Sequence, residues 1–207
     1  MPNKSKKFSA TSGKKKLPQN NKPPLADNSP QRLHLFQRLD ESMQLLQKVL
    51  AGVPPKMWHE KPSPEQWSVG EHVHHLILIE VLRLDLIKGM IAGTKESLPP
   101  REGPQPDIAG ARTSPSKNQA LKEMVPKPDL PVKILRGALL RTRNDTTAFV
   151  RIVDLQKAAN LWLKTASLGV VNAAEYLEFI SAHMERHADH IARLAAQVKS
   201  TTSEEVE

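Results

Sequence analysis

Six of the chain's eight histidines fall in two short windows. One is Glu71-His72-Val73-His74-His75-Leu76, the other His183-Met184-Glu185-Arg186-His187-Ala188-Asp189-His190. A neutral imidazole is a good ligand for a divalent metal. On a helix, residues spaced i, i+4 share a face, so His183 and His187 bring their Cβ atoms to about 6 Å of each other. An ion about 2.0–2.1 Å from each ring nitrogen bridges that gap. A third ligand must come from elsewhere. His74 and His75 are adjacent and point about 100° apart, so only one of them can face the ion. His75, one turn from Glu71 and His72 and beside Leu76, is the one expected inside. His190 shares the face of His183 and His187 and is either a fourth ligand or a neighbour of the ligands. His72 and His74 read as structural, as do His34 and His59.

Three neutral imidazoles leave the ion's charge uncompensated and at least one position open. A water there can have a pKa near about 7, and a thiol there ionises more easily still. The same ligands therefore suit hydrolysis or thiol transfer. All-nitrogen ligation is compatible with zinc, nickel, iron or copper. Glu71 can orient a ligand or accept a proton as a catalytic carboxylate, or it can compensate a helix N-terminus. Arg186 and Arg193 can hold an anionic cofactor or stay solvated. The chain has no cysteine, which excludes disulfides, thiolate ligands and a protein thiol nucleophile.

Helices must position these groups. Ser29-Pro30 starts the first, with Leu35, Leu39, Met43, Leu46 and Leu50 at helical spacing and Gly52 ending it. Val53 to Trp67 is a proline-rich connector whose Trp58 and Trp67 are expected to pack on the bundle end. Ser68 with Glu71 three residues on forms a capping box for helix two, Val69 to Ile91. Its apolar set is Val69, Val73, Leu76, Ile79, Leu82 and Leu86, and Gly93 closes it. Residues 93–131 form a long polar loop with room for a short helix at Gln119 to Met124. A loop of this length can cover the open side of the metal. Helix three spans Val132 to Asp154, and 155–170 reads as a connector. Asn172 caps helix four, Ala173 to Lys199, with Tyr176, Phe179, Ile180, Ile191 and Leu194 on its apolar face. No strand pairs are expected. Four amphipathic helices imply an all-α, four-helix bundle.

Two segments resemble the DinB-like family. Trp67-Ser68-Val69-Gly70-Glu71-His72-Val73-His74-His75-Leu76 is similar to its W-S-x-x-E-x-x-x-H-L start of helix two. Glu175-Tyr176-Leu177 through His190-Ile191 is similar to its last helix, with H-x-x-x-H. The resemblance covers residues 31–198 in the expected order. It implies an up-down-down-up bundle, often a homodimer, and a metal triad of His75, His183 and His187. It also implies a thiol-dependent transferase or isomerase using a low-molecular-weight thiol, or a metal-dependent hydrolase acting on a small molecule, with zinc, nickel or iron. The family often has Gln where this chain has His190, which leaves the fourth coordination position open. A non-catalytic bundle that dimerises or binds a partner is the competing reading.

Net charge is +8, but residues 1–30 contain seven lysines and one acid, leaving only +2 for the rest. The basicity belongs to a Lys-rich tail read as disordered. Nucleic-acid binding is therefore expected to be weak at most and confined to that tail. The expected domains are the 1–30 tail, a 31–199 bundle and a disordered 200–207 C-terminus. No apolar run of about 18 residues exists to span a membrane. The N-terminus lacks the apolar region of a secretory signal, so the expected location is the cytoplasm.

Overall fold

The computed structural model describes residues 28–113 and 122–204, with side chains through Gln197. Four long helices make the frame: α1 (Pro30–Ala51), α2 (Val69–Ala92), α3 (Val132–Ile152) and, after a short α4 (Leu155–Ala158), α5 (Ala173–Glu204). Their starts are local chemistry. The Ser29 hydroxyl accepts from the Arg32 amide at 3.4 Å. Ser68 and Glu71 close a full capping box, and Asn172 and Glu175 form a second, each side chain accepting from the other's amide at 2.9 Å. Gly93, at φ 74°, ends α2 in the left-handed conformation. Neither Gly nor Pro follows residue 199, and α5 continues to Glu204, past the expected end at Lys199. All but the last three residues of the tail, and residues 119–121 of the expected loop helix, lie outside the described residues. The remainder of that loop helix is a 3-10 turn, Lys122–Met124.

Cross-helix contacts fix the directions. Arg32 donates to the Val150 and Val153 carbonyls, Arg143 to Leu39 and Arg136 to Leu50, so α1 and α3 are antiparallel. His34 meets Glu178 and Arg38 meets Glu185, so α1 and α5 are parallel. Glu80 pairs with Arg143, and Lys88 lies over Phe149, so α2 and α3 are parallel. Arg83 lies over Tyr176 while His75 meets His183, which makes α2 and α5 antiparallel. That is an up-down-down-up four-helix bundle. No described helix is long and apolar enough to cross a membrane.

The core has two apolar halves, around Leu39, Ile87, Val150 and Leu177 in one and Leu46, Trp58, Val73 and Ile191 in the other. A buried ion pair lies inside the bundle. Arg143 donates to Glu80 at 3.2 Å, and both are under a tenth exposed. Glu80 also corrects the expected face of α2. Val69, Val73 and Leu76 are buried as expected, but the inward row continues through Ile77, Glu80, Leu84 and Ile87. Leu82 is 37% exposed. The helix is apolar on several sides, so periodicity alone does not choose a face, and the residue that marks the true one is charged.

The 155–170 connector is also more ordered than expected. It contains α4 and an antiparallel hairpin, β1 (Trp162–Thr165) with β2 (Gly169–Asn172), to which Leu98 adds a single bridge. Gly169 adopts φ 69° after a three-residue loop, a combination that suits a tight hairpin. Four-residue strands carry too little alternation to register against longer helical signals.

Candidate metal centre and its cleft

Because α2 and α5 are antiparallel, the first turns of α2 face the middle of α5, and the two histidine windows meet. His75, His183 and His187 each offer a ring nitrogen, and these atoms all lie within 4.8 Å of one another. His75 and His187 are 5% and 7% exposed. Among the described residues this group has three members. His190 stands beside it, with its ring centroid 5.9 Å from that of His187.

The second nitrogens of two of these rings are occupied. His75 Nδ1 lies 2.7 Å from the Met124 carbonyl. A carbonyl only accepts, so Nδ1 carries the proton and Nε2 keeps its lone pair. His187 Nδ1 lies 2.9 Å from His72 Nδ1. One proton is shared there. With the proton on His187, its Nε2 is free to ligate. With the proton on His72, neutral His187 is protonated at Nε2 and cannot. Trp67 forms a wall, its ring 4.7 Å from that of His75 and nearly parallel to His187 at 6.5 Å.

Electrostatics keep the rings neutral. Burial, joined by the neighbouring rings, pushes His72 and His183 down to about 3. The same two causes carry His187 well below the usual histidine range. Burial also lowers His75, against the hydrogen bond it donates to the Met124 carbonyl. Neutral imidazole is the protonation state that ligation requires, so this donor set fits a divalent ion.

The triad opens into a cleft of about 930 Å³. Trp67, Phe179, Arg83, Arg186, Arg193 and the hairpin turn at Thr165–Ser167 are among its walls. The loop contributes a wall as well: Met124 and Val125 line the cleft, while Arg112 is tied to Asp189 on α5 by two hydrogen bonds.

A family model described as the DinB superfamily matches residues 38–191. The chain belongs to the DinB superfamily. Neither the curated proteins nor the solved structures yield a match. The DinB match includes all three clustered histidines and both capping boxes. It stops short of Arg193 and excludes the lysine-rich tail.

The remaining expectations divide. Arg186 and Arg193 both face the DinB cleft. Glu71 does not line it. One oxygen accepts from the Ser68 amide and the other from Lys61, each at 2.8 Å. Burial works against the charge of Glu71, but these bonds outweigh it and hold the carboxyl below its usual range. These contacts place Glu71 in the capping box at the start of α2, the helix-terminus role. Among the described residues the cleft's carboxylate is Glu65. His74 accepts from the Lys127 amide at 2.9 Å and anchors the loop. Trp58 packs in the core as expected, whereas Trp67 belongs to the site. His72, read as structural, touches a triad histidine directly. One signal could have found both: Trp67 precedes the Ser68 cap and His72 is the fourth helical residue, the two positions that staple a helix start. Their rings do meet, at 5.5 Å.

Proposed function

We propose that this DinB protein binds one divalent metal ion on His75, His183 and His187 and is a metal-dependent enzyme of the thiol S-transferase or hydrolase type. The observation that carries the reading is the convergence of three neutral imidazole nitrogens within 4.8 Å, two of the rings buried and that of His183 half-buried, at the wall of a large cleft. A divalent ion there would supply Lewis acidity, favouring ionisation of a water or thiol that reaches its open position. The chain's own groups prepare that position. Met124 fixes the tautomer of His75, and His72 can fix that of His187. Trp67 and Phe179 give the cleft aromatic walls near the centre. Arg186 and Arg193 would hold the charged part of an anionic cofactor.

Elemental analysis of protein purified without chelator tests the reading. One ion per chain is expected in the native protein, with loss in H75A, H183A and H187A. Metal-loaded protein is then assayed with a panel of low-molecular-weight thiols and an electrophilic acceptor, and with hydrolysable esters and amides. Native protein without stoichiometric metal, or variants that retain it, would overturn the metal centre. Turnover that is equal with and without the ion would overturn the enzyme.

A further inference from the structure

Three arginines line the cleft, and among the described residues their lack of an acid partner is shared outside it by Arg136, Arg141 and Arg151 but not by the arginines that cross-link the fold through carboxylates. Outside it, Arg101 is paired with Glu175, Arg112 with Asp189 and Arg143 with Glu80. Inside it, among the described residues, none of Arg83, Arg186 and Arg193 has a carboxylate within 4.0 Å. Arg186 and Arg193 lie two turns apart on α5 and both line the cleft. Two like charges crowded at a cleft wall are unfavourable until an anion joins them. Arg83 occupies the other end. Its guanidinium carbon lies 5.9 Å from the centre of the Tyr176 ring, and it lines the cleft together with the hairpin turn.

Part of the triad stands between these ends. Tyr176 marks the level of Arg83 on α5, and ten residues of helix separate it from Arg186, about 15 Å at the helical rise. His183 falls inside that interval. The clustered histidines are neutral, so positive charge is concentrated at the two ends, with Glu65 at the wall as the opposing acid.

We propose that the cleft takes an elongated ligand with an anionic group at each end, one held by Arg186 and Arg193 and the other by Arg83. The middle of the ligand then lies over His75 and His183. This rests on the metal-centre reading for its chemistry and names the ligand class for it, but the two charged ends bind without the ion.

Calorimetric titration of the full-length protein at low ionic strength tests this, using α,ω-dicarboxylates of increasing length, each against the monocarboxylate of equal length. A window of lengths is expected in which the dicarboxylate binds at least about tenfold more tightly, as expected for a second charge-assisted contact. R83Q and the R186Q/R193Q double variant should each remove that advantage. Equal binding of mono- and dicarboxylates by the native protein at every length overturns the proposal without recourse to any variant. So does a preference that survives both arginine changes. H75A/H183A separates the two readings: a dicarboxylate preference that persists without metal supports the charged ends even if the metal centre fails. A native protein that holds metal yet shows no preference refutes the charged ends alone. A preference lost in H75A/H183A but kept in both arginine variants belongs to the ion and also overturns the proposal.

Discussion

The Nδ1 contact between His72 and His187 makes a ligand's tautomer depend on a residue that need not touch metal. If His72 orients His187, replacing it with leucine should weaken metal binding by about 10–100-fold, the usual effect of losing a ligand's hydrogen-bond partner. H72N keeps a polar acceptor near the position of Nδ1 and should recover most of the loss. Chelator competition on folded variants measures both, and equal affinity in H72L and the native protein would dismiss the role. At this scale the sequence was informative about type and spacing. The i, i+4 pair and the inward choice of His75 over His74 were legible because helical geometry is local. The part of His72 was not, since it depends on which ring of a distant helix arrives opposite.

At the scale of the element, α2 carries the most conflict. Its capping box and terminal Gly93 were readable, because caps are satisfied within a few residues. Its buried face was not, because the inward row passes through Glu80. That carboxylate is tolerable only beside Arg143, which also donates to the Leu39 carbonyl at 3.4 Å. E80L would leave the Arg143 guanidinium buried without its counter-ion and should cost about 3–5 kcal/mol. The E80L/R143M double variant removes both charges and should regain much of that. Urea denaturation of the four proteins closes the cycle, and additive losses would show that the pair is not coupled. The hairpin Trp162–Asn172 went unread for a different reason: its strands are short and gain their partners only when Leu163 and Val171 are buried against the bundle.

For the whole molecule, the neutral histidine cluster ties stability to pH. His72 and His183 titrate near about 3 in the folded chain and near about 6.5 once unfolded. Between those values the unfolded state binds more protons, so stability rises with pH. Metal-free protein should therefore be most stable above about 6.5 and lose stability progressively as pH falls below it. Denaturation of the metal-free protein at pH 7.5 and 5.5 checks this, with equal stability at the two contradicting it. Bound metal should oppose the loss, since ligation also favours the neutral rings.

The sequence by itself determined the helices, their caps and the two histidine windows, together with the separation of a basic tail from a nearly neutral body. These follow from spacing, capping and composition, which act over a few residues. Only the tertiary structure decided that α2 and α5 run antiparallel with those windows in register. It also decided that a loop carbonyl fixes His75 and that three arginines remain uncompensated in one cleft. Such features depend on which groups from distant segments meet, and a local pattern carries no record of its partner across the bundle.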